Sequence, residues 1–465
     1  MKEIIRNVRY ILYVFMGLTA ALLLGLLVQS YRAQTELSAV AGENRAALAE
    51  RYGLLAGRII SSDGFVIAES VDGQRRYPAK PYSDPYVHLV GDYSHIMANS
   101  IEANYEGQLL GTQRNLIDQV VLDVNGYGMH GNELVLTLNN SISQTMADQF
   151  RATGYRGAAV MLNWKTGDLI AACSFPAPSY EQVISYDNLE DTALFNRVLN
   201  GLYTPGSTFK VFTSAAYFDS TLYDPDYTIT CDGNPIAPGG PRNYANQAHG
   251  LENISGAFTA SCNVFFGNLG YRLGQGYLTQ FFEDIGFSDQ IQLDRLSVTR
   301  QKLAINSDDS TTLSWFAIGQ PNAEAEAQVN PLMQACYASA IANGGKRLKP
   351  HIVRRIVDPL GRTSYTAEPE LEREVFDEET SEFLRSLMIA CGNTLGLSFN
   401  GVEIGLKTGT AEVDGLDGNY SWVNTFIDDE NYPYALALVF EDSPGSQYLI
   451  PYAQNIYRQA MNVQP

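Results

Sequence analysis

The segment Pro205-Gly206-Ser207-Thr208-Phe209-Lys210 sets a hydroxyl and an amine three residues apart at the start of a helical pattern. On a helix that spacing puts Ser207 and Lys210 on one face, a single turn apart. An alcohol is a weak nucleophile, and an adjacent amine with a lowered pKa can take its proton. The helix N-terminus adds backbone N–H groups for a developing oxyanion. The chemistry on offer is nucleophilic attack by an activated serine hydroxyl. Ser-x-x-Lys alone is a weak signal, although only Lys210 of the eight lysines has a serine three places before it. Two further segments strengthen it. Ser261-Cys262-Asn263 follows Ser207 by 54 residues, and Lys407-Thr408-Gly409-Thr410 follows Ser261 by another 146. Lys165-Thr166-Gly167 repeats the last pattern but precedes the serine and reads as a hairpin turn. Ser398-Phe399-Asn400 repeats the middle one, too close to Lys407 to form a separate wall of a cleft.

These residues need a scaffold, and the hydropathy pattern supplies one. Gly157 to Asn163 and Asp168 to Ser174 read as strands joined by Trp164-Lys165-Thr166-Gly167. Val402 to Glu412, Tyr420 to Ile427 and Tyr434 to Glu441 read as three more, followed by a helix from about Gln447 to Met461. The stretch from about Pro205 to Leu387 reads mainly helical. An α+β domain follows, with an antiparallel sheet assembled from both ends of the chain. Leu134 to Leu138 reads as a strand, and Ser141 as the N-cap of a helix to about Arg151. The acidic stretch from Glu368 to Glu382 reads as a solvated loop leading into a helix.

From Tyr10 to Tyr31 there are 22 residues without a charge, enough for a helix of roughly 33 Å against a hydrocarbon core of about 30 Å. Lys2, Arg6 and Arg9 precede the run and Arg32 follows it, a bias that keeps the N-terminus cytoplasmic and the rest of the chain outside. Ala39-Val40-Ala41 has the form of a signal-cleavage site but lies far past the apolar end, so a retained anchor is expected. Glu36 to Arg51 reads as a helix leaving the membrane. Gly57 to Ala68 holds two β-like runs around Asp63-Gly64, and the region to about Asn140 reads as a small β-rich spacer. The domains expected are a tail (1–9), an anchor (10–31), a spacer (32–150) and a catalytic domain (151–465).

The chain of 465 residues carries a net charge of −20, which argues against nucleic acid as a partner. Its five cysteines form no CxxC pair, which argues against a disulfide framework and a thiolate zinc site. The five histidines never stand at i, i+4, so no HExxH helix exists.

The ordered set of Ser-x-x-Lys, Ser-x-Asn and Lys-Thr-Gly resembles the signature of penicillin-binding proteins and serine β-lactamases. With the apolar run, the Gly57 to Ala68 segment, Asn196-Arg197 and Ala317-Ile318-Gly319-Gln320, the chain looks like a class B penicillin-binding protein. The resemblance implies a penicillin-recognising transpeptidase fold, similar to serine β-lactamases, with a five-stranded antiparallel sheet flanked by helices. It implies D,D-transpeptidation of peptidoglycan stem peptides, without cofactor or metal. By that resemblance Ser207 attacks the penultimate D-Ala of a donor stem, with Lys210 as general base and Ser261 as proton relay. Asn263 holds the donor amide, Lys407 supplies positive potential, and Thr408 and Thr410 bind the terminal carboxylate. Gly409 leaves room for the substrate backbone to lie against the strand. The backbone N–H groups of Ser207 and Thr410 hold the oxyanion.

The implied partners are D-Ala-D-Ala donor stems, amine acceptors, β-lactam antibiotics and a polytopic glycan polymerase. Residues 32–150 are too few for the glycosyltransferase domain of class A relatives. The alternative is a D,D-carboxypeptidase or β-lactamase of the same fold, in which water takes the acyl group. No Glu-x-x-Leu-Asn, where class A β-lactamases keep their deacylating Glu, is present. Cys262 departs from the more usual Ser or Asp and reads as a small buried residue.

Overall fold

The structure is a computed structural model that describes residues 2–39, 53–399, 401–413 and 418–463. Its centre is a five-stranded antiparallel sheet. In chain order the strands are β1 (Gly157–Asn163), β2 (Leu169–Phe175), β3 (Ile404–Glu412), β4 (Asn419–Ile427) and β5 (Tyr434–Ser443). They lie side by side as β3-β4-β5-β1-β2, so the sheet is built from both chain ends, as the sequence implies. Both faces are covered, which explains the continuous apolar runs of β1 and β5.

Seven helices matter for the argument: α1 (Lys2–Ala39), α2 (Asn140–Thr153), α3 (Lys210–Asp219), α4 (Asn263–Leu273), α5 (Pro331–Ala342), α6 (Glu378–Thr394) and α7 (Ile450–Asn462). Helices α2 and α7 cover one face of the sheet, where Met146, Phe150, Ile456 and Tyr457 meet Met161, Leu436 and Leu438. On the other face α5 is buried on all sides, and Met333, Tyr337 and Ala340 join a core with Val160, Ala437 and Val439. That core extends through the helical middle of the chain and carries α3 and α4.

Several elements differ from expectation. The helix after Asn139 begins one residue before Ser141, because the Asn139 side chain accepts from Ile142 N–H at 3.1 Å and takes the cap. The acidic stretch is partly a strand. Leu371–Glu374 pairs antiparallel with Lys346–Leu348, and cross-strand ion pairs such as Arg347 with Glu372 at 2.9 Å absorb its charge. The spacer region mixes strands with the short helices Val87–Val90, Ile101–Asn104, Glu106–Leu109 and Leu116–Val124. Its sheet also draws on distant chain: Thr363–Thr366 and Val353–Val357 line up beside Glu133–Leu136, Ile59–Ile60, Val66–Val71 and Gln74–Arg76. Helix α1 includes Ile5–Gly25, long and apolar enough to cross a membrane. Of the helix expected from Glu36 to Arg51, residues 40–51 lie outside the described residues.

Candidate active site

Ser207 sits in a single 3-10 turn, Gly206–Phe209, that runs directly into α3. Two close approaches hold the turn. Gly206 has φ +54° and donates its N–H to the Gly319 carbonyl at 2.9 Å, and a Cβ on it would stand 2.6 Å from the Thr410 carbonyl oxygen. Only glycine fits there without strain. Gly409 opposes the same turn, since a Cβ on it would lie 2.7 Å from the Pro205 oxygen and 2.9 Å from Thr208 N. The sequence expects Gly409 to leave room for substrate, and the space that a Cβ would fill is held by the turn itself. The glycine lets the nucleophile's own turn press against β3. Phe209 anchors the turn below, ringed by Phe212, Phe282, Phe287 and Phe316. Trp422 is buried beside Tyr203, with its indole N–H on the Thr204 carbonyl at 3.1 Å. It is part of the core.

Lys210 lies in the first turn of α3, fully buried, with Nζ 3.0 Å from Ser207 Oγ. The same Nζ is 2.7 Å from the Ser261 carbonyl, 3.1 Å from Ser261 Oγ and 2.7 Å from Asn263 Oδ1. Lys407 reaches in from β3 and places its Nζ 3.1 Å from Ser261 Oγ on the other side. Ser261 Oγ therefore stands between two amines. Its backbone is in the left-handed region, φ +54°, a conformation unusual for serine and typical of positions held for function. Asn263 opens α4, and its amide donates to the Arg242 carbonyl at 2.9 Å, which aims Oδ1 at Lys210.

The electrostatics follow from this packing. Burial pushes the Lys210 amine well below its ordinary pKa, and the nearby Lys407 charge lowers it further against an opposing pull from Cys262. Burial also lowers Lys407, opposed by Cys391. A depressed ammonium pKa means a neutral amine over more of the pH range, so Lys210 can accept a proton from Ser207.

Ser207, Ser261, Asn263, Thr408 and Thr410 line one cleft of about 560 Å³. Lys210 and Lys407 lie buried behind it. Strand β3 is the edge of its sheet, and its alternation puts Thr408, Thr410 and Glu412 on one face. An edge strand can take an extended peptide as an added strand. All eight residues singled out in the sequence thus gather at one place. Lys165 lies elsewhere, beside Glu430, and Asn400 lies outside the described residues. Two neighbours have no sequence signal. Asn243 accepts from the N–H groups of Asn263 and Val264 and so tethers the start of α4. Ser446, in the turn after β5, lies 3.1 Å from the Thr410 hydroxyl.

Residues 157–462 match the family model of the penicillin-binding protein transpeptidase domain. The chain belongs to this family. Among similar relatives of this penicillin-binding protein is the peptidoglycan D,D-transpeptidase PbpA of Mycolicibacterium smegmatis, 28% identical over 440 residues, 86% of each chain. The fold of the present chain is similar to the solved D,D-transpeptidase domain of a peptidoglycan glycosyltransferase from Eggerthella lenta. That likeness has a TM-score of 0.75 at 27% identity and covers 88% of this chain and 99% of the other. A ceftriaxone acyl-enzyme complex of penicillin-binding protein A from M. tuberculosis gives a TM-score of 0.79 at 25% identity, covering 90% and 100%. The transpeptidase fold of this penicillin-binding protein is therefore the scaffold on which the two serines and two lysines meet.

Proposed function

We propose that this chain is a peptidoglycan D,D-transpeptidase that forms an acyl-enzyme on Ser207 and is blocked there by penicillins. The observation that carries the reading is the buried Lys210 amine, held 3.0 Å from Ser207 Oγ and 3.1 Å from Ser261 Oγ. The neutral amine takes the Ser207 proton as Oγ attacks the carbonyl carbon of the penultimate D-Ala. Backbone N–H groups of Ser207 and Thr410 receive the developing oxyanion. As the C–N bond breaks, the proton passes from Lys210 through Ser261 to the departing D-Ala amine. An acceptor amine then attacks the ester, Ser207 regains its proton by way of Lys210, and the cross-link is released. Asn263 holds the donor amide, and Thr408 and Thr410 hold the terminal carboxylate under the positive potential of Lys407. Gly409 contributes by letting the Ser207 turn seat against β3.

In this reading residues 151–465 carry the chemistry and residues 32–150 hold it off the membrane. The apolar helix within Ile5–Gly25 supports a single-pass anchor. The basic residues Lys2, Arg6 and Arg9 before it support a cytoplasmic N-terminus and an external catalytic domain. Ile117 and Val124, exposed on the helix Leu116–Val124, support a protein partner for the spacer, which the family resemblance makes a polytopic glycan polymerase.

The test is incubation of the full chain with a stem pentapeptide donor and a stem-peptide amine acceptor. The expected product is a cross-linked dimer with one D-Ala released per bond, absent in Ser207→Ala. A tetrapeptide formed only by hydrolysis would overturn transpeptidation in favour of a carboxypeptidase.

A further inference from the structure

Cys231, His249 and Cys262 stand together, with their ligand atoms all within 4.8 Å of one another. They come from different elements. Cys231 ends the strand Ile229–Cys231, His249 precedes its partner strand Gly250–Glu252, and Cys262 caps α4. The hairpin brings the first two together, since Cys231 pairs with Gly250 and the His249 N–H donates to the Cys231 carbonyl at 3.1 Å.

The two sulfurs lie 3.5 Å apart. Around a tetrahedral zinc with Zn–S bonds of about 2.3 Å, two thiolates stand about 3.8 Å apart. A disulfide would need an S–S distance of about 2.05 Å. Asn243 borders the group, its Nδ2 3.0 Å from Cys231 Sγ and 3.3 Å from His249 Nδ1. Its Oδ1 is taken by the N–H groups of Asn263 and Val264, so the orientation of the amide is determined. Asn243 therefore offers the sulfur an N–H, the kind of outer partner that supports a metal-bound thiolate. Both cysteines are buried, whereas His249 is half-buried and lines the Ser207 cleft. A water can reach the group from that side.

We propose that Cys231, His249 and Cys262 bind one Zn²⁺, with a water from the cleft as fourth ligand. Two sulfurs and one imidazole suit zinc, which is borderline-soft and tetrahedral, and binding releases the two thiol protons. The ion takes no part in acyl transfer. Cys262 stands between Ser261 and Asn263, so the metal clamps the hairpin to the segment that presents both side chains to Lys210. It is a positioning site that holds Ser261 in its left-handed conformation. The reading reverses the sequence expectation against a thiolate zinc site. That expectation looked for paired cysteines, whereas here a hairpin and a helix cap supply one each. The inference goes beyond the transpeptidase reading and does not depend on it.

The test uses the detergent-solubilised full chain, purified without chelator. Elemental analysis is expected to give about one zinc per chain, and close to none in Cys231→Ser and in His249→Ala, each verified as folded by circular dichroism. Titrating Co²⁺ into stripped protein is expected to saturate at one equivalent, with an intense thiolate-to-cobalt band that Cys231→Ser weakens and His249→Ala shifts. Returning Zn²⁺ to stripped protein is expected to speed acylation by fluorescent penicillin about tenfold. Folded wild-type protein without zinc and without a cobalt–thiolate band would overturn the proposal. So would a Cys231–Cys262 disulfide in a non-reducing peptide map. Zinc bound by a protein that cannot cross-link stem peptides would leave this site standing and sink the transpeptidase reading instead.

Discussion

Gly409→Ala separates two accounts of the same residue. A methyl group there would meet the Pro205 oxygen at 2.7 Å, Thr208 Cγ2 at 2.8 Å and Thr208 N at 2.9 Å. Two of these three atoms are backbone, so a rotamer change cannot relieve the contact. Ordinary packing asks for about 3.5–4.0 Å between carbons, so the Ser207 turn must back away from β3 by most of an ångström. Overpacking of this kind costs about 1–3 kcal/mol of stability. A misplacement near 1 Å costs about 10²-fold in rate. The expected result is a fall of about 10²-fold in acylation by a small monocyclic β-lactam and by a stem pentapeptide alike, with a modest drop in melting temperature. Stopped-flow fluorescence for the lactam and D-Ala release for the peptide measure the two rates. Normal acylation by the small lactam, alongside a large loss with the peptide, would refute the reasoning. Gly409 would then face substrate and not the nucleophile's turn.

Lys210→Met removes a buried amine whose pKa is depressed in the folded chain, so the unfolded chain binds more protons between that pKa and the ordinary lysine value. Wild-type stability therefore rises with pH across that window, and the variant should melt higher at neutral pH with a shallower rise. Its acylation rate should fall about 10²–10⁴-fold. In wild type the acylation rate should hold to well below the ordinary lysine pKa and decline as Lys210 takes a proton, which a pH–rate profile with penicillin reads directly. Arg197→Ala takes the 2.8 Å ion pair from Glu441, which keeps Arg156 at 3.2 Å and the Tyr203 hydroxyl at 2.8 Å, and urea unfolding should show a loss of about 1–3 kcal/mol. Ser446→Ala removes the acceptor of the Thr410 hydroxyl, so urea unfolding should show a loss of about 1 kcal/mol and peptide turnover should slow as the Thr410 side chain loses its fixed orientation.

The parts of the molecule legible in the sequence are those where one local rule decides. Strands β1 and β5 are buried on both faces and read as unbroken apolar runs. Ser207 and Lys210 are one helical turn apart, so their spacing already says that they meet. Ser261, Asn263 and Lys407 could be grouped with them only through the ordered motif, since the bonds that join them to Lys210 span 51 to 53 residues and Lys407 reaches Ser261 across 146. The face that Gly409 presents was not legible, because alternation fixes which residues share a side and not what packs there. The strand Thr363–Thr366 is exposed at every position and gives no periodic signal, yet it edges the sheet of the spacer. One-turn helices such as Val87–Val90 are too short to show a 3.6-residue repeat. Gly392 lies inside α6, where a Cβ would sit 2.1 Å from the Ile404 oxygen, so the sequence Gly392-Asn393-Thr394 serves helix-to-strand packing. Cys231 and His249 carry no motif, and only the hairpin brings them to Cys262.

The central claim is that the buried Lys210 amine makes the Ser207 hydroxyl the acylated group. Intact-protein mass spectrometry of the full chain with benzylpenicillin, followed by peptide mapping, tests it most directly. The expected result is one penicilloyl group per chain, located on Ser207, stable for hours and lost in Lys210→Met. Folded protein that takes up no label, carries it on another residue, or frees itself within seconds would contradict the account.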